Sequence, residues 1–186
     1  MKNLMIIATL VVSYSVSGLA ETPFAKQHCN GDCNKRLLVD FDPNQPLTVD
    51  EHFLIQEYTQ SYNVLDQDMF LEAIRKLPAS QTIVYRGTET SKSGIKCVGQ
   101  ILTLDRFVST STNRFIAENF VRNQILVINS KSARSIIDYS GSGEEEHIIL
   151  PGAKLRVDKI THEKLEIVNQ IEEKVIDVQV VYMTEL

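Results

Sequence analysis

The apolar residues change their period at Pro78, and that change limits the folds open to this chain. Before it, Met69, Phe70, Ala73, Ile74 and Leu77 recur at helical spacing. They predict a helix from about Asp66 to Leu77, stopped by the proline. Further upstream, Thr48-Val-Asp-Glu51 has the form of a capping box. It opens a helix that Phe53, Leu54, Glu57, Tyr58 and Ser61 continue with a partly apolar face. Beyond Pro78 the pattern turns extended. Thr82 to Arg86 is β-rich and ends at Gly87, and the stretch from Ile101 to Thr112 is short and extended. A helical turn is expected from Arg114 to Phe120, then a buried strand at Ile125 to Ile128. Glu146 to Leu150 follows as a strand, broken by Pro151-Gly152. Lys154 to Ile160 and Val175 to Met183 complete the sheet as a hairpin around Asn169. Helices first and strands later define an α+β chain.

The first 20 residues stand apart. Lys2 is followed by an apolar run from Leu4 to Val12, and Gly18 and Ala20 are small residues before a cleavage point. That is the layout of a secretory signal peptide, with a mature start at Glu21. The run is shorter than the roughly 20 residues that span a bilayer. Residues 21–186 suit one domain, with an irregular lead-in to residue 47 marked by Asn-Gly, Asp-Pro and Gln-Pro. A net charge of −5 argues against an electrostatic grip on nucleic acid or an anionic membrane, and no second apolar span suggests membrane insertion. Export permits one disulfide among Cys29, Cys33 and Cys97, with one thiol left over and the pairing open. His28, Cys29, Asp32 and Cys33 have no second ligand cluster to complete a metal site, so no metal is expected.

Three stretches put polar groups at the end of an apolar strand. In Ile83-Val-Tyr-Arg86-Gly87, the arginine offers a planar fork of donors suited to phosphate, and the glycine lets a ligand approach the backbone. In Ser109-Thr110-Ser111-Thr112, alternation places Ser109 and Ser111 on one face and Thr110 on the other. In Glu144-Glu145-Glu146-His147, alternation aims Glu144 and Glu146 the same way, which suits a developing cation. Taken singly, each stretch is ordinary.

In this order, from about Leu65 to Val157, they resemble the R-S-E class of ADP-ribosyltransferase exotoxins. The resemblance implies helices packed on a mixed, mainly antiparallel two-sheet core in a single catalytic domain, 21–186. It implies that Arg86 and Gly87 meet NAD phosphate, and that Ser109, with Thr110 and Ser111, holds the catalytic glutamate and the nicotinamide. Glu146 would be that glutamate and Glu144 the acid for an arginine acceptor. Glu145 is a rival in register, but Pro151-Gly152 lies where relatives place a turn after Glu146. Asn113 to Phe120 would be the loop that contacts phosphate and nicotinamide, with Arg114 a second phosphate contact. Tyr139 to Gly143 would read the target protein, with Tyr139 and Glu144 recognising it. NAD is then a co-substrate and no cofactor is implied. The activity expected is secreted, extracellular mono-ADP-ribosylation of a host protein's arginine, with nicotinamide released. No cell-binding region of the family type is present, so a translocation partner stays unknown. NAD glycohydrolysis and an inactive secreted binding module are the alternatives.

Overall fold

The computed structural model describes residues 46–61, 64–140, 144–168 and 173–186. The leader, Cys29, Cys33, most of the lead-in, Gly141 to Gly143 and Asn169 lie outside the described residues. Among the described residues two helices come first, α1 (Val49–Ser61) and α2 (Gln67–Lys76). The seven strands are β1 (Ala79–Thr88), β2 (Ile101–Thr103), β3 (Val108–Ser111), β4 (Gln124–Ser135), β5 (Glu146–Ile149), β6 (Lys154–Val168) and β7 (Glu173–Glu185). One-turn helices α3 (Thr90–Ser93) and α4 (Arg114–Glu118) interrupt them.

Local chemistry sets the helix ends where the sequence predicts. The Thr48 amide donates to Glu51 Oε2 at 2.8 Å, and the Glu51 amide donates to Thr48 Oγ1 at 3.3 Å. This reciprocal pair satisfies two of the donors a helix start leaves open. Asp66 Oδ1 caps α2 by accepting from the Met69 amide at 3.0 Å, and Arg75 and Lys76 oppose the dipole in its last turn. Helix α1 departs from expectation: eight of its residues are buried, Glu51, His52 and Gln56 among them, so it runs inside the fold.

The sheet order is β1-β3-β5-β4-β7-β6-β2, and β1 also pairs with β4. Strands β1, β3, β5 and β4 therefore close on themselves, while β7, β6 and β2 extend outward from β4. Every pairing is antiparallel except β4 with β7. This is the mixed, mainly antiparallel core that was expected. One core packs α1 and α2 against Ile136, Tyr139 and Ile148. A second gathers Val84, Leu126, Ile128, Ile149, Leu155, Val157 and Met183. Neighbours Ile148 and Ile149 on β5 thus point into different cores, as strand alternation requires.

The extended stretch 101–112 is two strands with different partners. Strand β2 pairs with β6 at one edge, and β3 pairs with β5 in the ring. Between them the chain is held by the Leu104 amide on Ala153 O at 2.9 Å and the Gly152 amide on Leu104 O at 2.8 Å. The final hairpin is longer than predicted, pairing Leu155 with Glu185 at its base and Val168 with Glu173 at its tip.

Candidate active site

Strand pairing assembles the three polar stretches at one end of the closed ring. Tyr85 of β1 is opposite Ser111 of β3, and Ser111 is opposite Glu146 of β5. A cavity of about 560 Å³ opens there. Its wall includes Arg86, Gly87, Ser109, Thr110, Ser111, Glu144 and Glu146. Seven of the sequence's candidate residues therefore share one surface, although Arg86 and Glu146 are far apart in the chain.

Glu146 is 3% exposed. Its Oε1 accepts a hydrogen bond from Ser109 Oγ, and its buried Oε2 has no partner among the described residues. Burial pushes the Glu146 carboxyl above the ordinary glutamate range. The Ser109 hydroxyl opposes that shift, the Glu144 charge adds to it, and the Arg86 charge opposes it again. A buried acceptor left open is costly, and a ligand hydroxyl reaching Oε2 would satisfy it. Arg86 is half-buried and donates from Nη1 to Ser109 O at 2.5 Å, which ties the arginine to the strand that holds the glutamate. Thr110 Oγ1 donates to His147 O at 2.8 Å, and Ser111 Oγ donates to Glu144 O at 2.9 Å. The three hydroxyls of the Ser-Thr-Ser run thus bind the 144–147 segment at Glu146, His147 and Glu144.

Two acids of the triplet line the cavity, Glu144 half-buried and Glu146 buried. Glu145 is exposed and turns its carboxylate to Asn113 Nδ2, at 3.2 Å, off the cavity wall.

Two expectations need correction. Arg114 is not on the cavity wall; its guanidinium pairs with Glu118, at 2.8 Å, and with Glu163. Tyr139 is 7% exposed and packs edge-on against His52 in the helical core, so its ring is no surface for reading a target. Gly87, on the cavity wall, is also required by close packing. A Cβ there would lie 2.2 Å from Ala117 O and 2.7 Å from Val121 N, because the end of α4 packs backbone to backbone on β1.

The cavity also has walls that sequence reasoning missed. Tyr58 and Phe107 supply aromatic surface, and Lys92, Arg106 and Arg122 add positive charge. Lys92 sits 3.6 Å from Glu89, and Arg106 sits 3.1 Å from Asp105. Arg122 follows α4, where the Arg122 amide donates to Thr88 O at 3.1 Å. Nothing in its flanking residues marks it; only the return of the chain to β1 brings it to the site.

The fold is that of ADP-ribosyltransferase toxins. The Vis toxin of Vibrio splendidus aligns with a TM-score of 0.56 at 17% identity, over 75% of this chain and 74% of its own. Plx2a, an ADP-ribosyltransferase toxin from Paenibacillus larvae, aligns at 0.54 and 20% identity, over 75% and 87%. The type III effector XopAI of Xanthomonas axonopodis pv. citri, in a form truncated by 70 residues at its N-terminus, aligns at 0.54 and 17%, over 75% and 68%. No curated protein sequence matches. The model of the NAD:arginine ADP-ribosyltransferase family matches residues 53–173, and the chain belongs to that family.

Proposed function

We propose that this protein is a secreted toxin that transfers ADP-ribose from NAD to arginine on a host protein and releases nicotinamide. The observation that carries the reading is the pair of carboxylates on one cavity wall, Glu146 held by Ser109 and Glu144 beside it, with Arg86 across the ring. Arg86 provides a fork of donors for the NAD pyrophosphate. Glu146 Oε2 accepts from a hydroxyl of the nicotinamide ribose and stabilises the positive charge that grows as the glycosidic bond breaks. The bonding electrons leave with nicotinamide. A guanidinium nitrogen then bonds to the ribose carbon, and Glu144 takes the proton it sheds. Free arginine stays protonated at neutral pH, so the acceptor needs that base.

Secretion rests on the leader-like start of the sequence, with a mature chain from Glu21. The closed ring, the half-buried arginine and the open carboxylate oxygen support catalysis over the reading of an inactive binding module. The test is nicotinamide release from NAD with and without an arginine analogue, for the wild type, Glu146→Gln and Glu144→Gln. Glu146→Gln should lose both hydrolysis and transfer. Glu144→Gln should keep hydrolysis and lose transfer by about 10²–10⁴-fold, the usual reach of a positioned base. Equal loss of both in Glu144→Gln would remove its acceptor role and favour glycohydrolysis.

A further inference from the structure

Glu145 takes no part in the cavity, yet it has an unusual backbone. It is the one non-glycine residue with positive φ among the described residues, at 49°. That left-handed conformation is strained for a residue with a Cβ. It persists because the loop after β3 holds it. The Thr112 amide donates to Glu145 O at 3.3 Å, Asn113 Nδ2 donates to Glu145 Oε1 at 3.2 Å, and Thr112 Oγ1 donates to Oε2 at 3.4 Å.

Asn113 serves two elements at once. Its Oδ1 caps α4 by accepting from the Phe115 amide at 3.0 Å, while its Nδ2 reaches Glu145. Its own amide donates to Ser111 Oγ at 3.0 Å, and that hydroxyl donates onward to Glu144 O. Helix α4 supplies Ile116 and Ala117 to the cavity wall. One asparagine therefore joins a wall of the cavity to the acidic segment.

The two catalytic acids depend on this clasp unequally. Glu146 begins β5 and is fixed independently by its place opposite Ser111, by Ser109 Oγ and by the Ile136 amide on its carbonyl at 3.0 Å. Glu144 lies before the strand, and its direction follows from the backbone of Glu145. We propose that Glu145 is a positioning residue, clasped by Asn113, that sets Glu144 for the acceptor without touching either substrate. The inference rests on the proposed roles of Glu144 and Glu146.

The test compares hydrolysis of NAD with transfer to an arginine analogue in the full chain. Glu145→Ala should raise the acceptor KM about three- to tenfold and leave the hydrolysis rate near wild type, the range expected for one or two lost hydrogen bonds. Glu145→Gln keeps an amide oxygen toward Asn113 and should restore the acceptor KM. Asn113→Asp keeps the cap on α4 but removes the donor, and should match Glu145→Ala. Combining Asn113→Asp with Glu145→Gln reverses donor and acceptor and should recover the lost transfer. Equal loss of hydrolysis and transfer in Glu145→Ala, or an unchanged acceptor KM, would overturn the proposal. A wild type that hydrolyses NAD but transfers nothing would instead overturn the arginine reading on which it rests.

Discussion

Replacing Glu146 by glutamine tests whether burial governs the site. Its carboxyl is raised by desolvation first, with Ser109 and Arg86 working against that rise and Glu144 with it. In the pH window between the ordinary glutamate value and the raised folded value, the folded state binds more protons than the unfolded one. Wild-type stability then falls as pH climbs through that window. Glutamine does not titrate, so the variant's stability relative to wild type should increase over the same window and level off above it. Two terms oppose each other at neutral pH. The variant exchanges a charge-assisted bond from Ser109, worth about 1.5–3 kcal/mol, for a neutral one of about 0.5–1.5 kcal/mol. It also removes the cost of holding a charge out of water, with one carboxylate oxygen unpartnered. Catalysis has no such compensation. Losing a fixed group that faces developing charge costs about 10²–10³-fold, or roughly 2.7–4 kcal/mol. Urea melts of both proteins between about pH 4 and pH 8, beside nicotinamide-release rates, measure the two effects. The acid limb of the wild-type rate should lie above the ordinary glutamate range, and Ser109→Ala should move it higher. A stability difference that is flat with pH, or an acid limb at the ordinary value, would refute the argument from burial.

Gly87→Ala should destabilise the fold by about 1–3 kcal/mol, since the new Cβ meets only backbone atoms of Ala117, Phe120 and Val121. An unchanged denaturation midpoint would mean that α4 is free to move off β1. Glu185 is buried, which disfavours its charge, but Ser130, Ser132 and the amides of Lys131 and Ser132 outweigh that and hold its carboxyl below the ordinary range. Its contribution is present above the unfolded pKa and lost as pH falls through the folded value. Glu185→Gln should therefore cost about 1.5–3 kcal/mol at neutral pH and less in acid, as read by melts at both. Arg86→Lys should weaken NAD binding in calorimetric titration, because a point charge lacks the bidentate fork. An equal dissociation constant would make Arg86 a tie to Ser109 and nothing more.

What the sequence made legible was local. Asp66 and the Thr48–Glu51 box begin helices through bonds made within four residues, and Pro78 ends one because it has no amide hydrogen to donate, so their meaning does not depend on the rest of the chain. The order of Arg86, Ser109 and Glu146 was legible because each sits at the end of an apolar strand. The misreadings all concern partners distant in sequence. The stretch 101–112 splits because Leu104 is held by the turn at Gly152-Ala153. Arg114 and Arg122 flank the same short helix, and Glu163 of the last hairpin is what draws Arg114 away from the cavity. Tyr139 follows a strand and precedes the glycines at 141 and 143 in sequence, yet His52, buried within α1, covers its ring. At Gly87 the fold adds a cause that the local sequence does not show, the close approach of a second backbone.

The architecture also gives the two carboxylates unequal freedom. Strand β5 has four residues, all buried, with β3 and β4 bonded along it and Ile148 and Ile149 anchored in separate cores. Glu146 stands at its first position and inherits that rigidity. A group that must face charge at one ribose carbon is best placed on such an element, because a small displacement forfeits much of its effect. Glu144 stands two residues earlier, outside the strand, with its carbonyl held by Ser111 and, on the inference above, its direction set by Glu145. Bond cleavage in NAD needs the same geometry whatever the acceptor. Acceptor choice needs a segment that substitution alters without disturbing that geometry. On the proposed roles, cleavage rests on the strand and acceptance on the turn before it, so substitution in the turn can alter acceptance while the packing of two cores holds Glu146 in place.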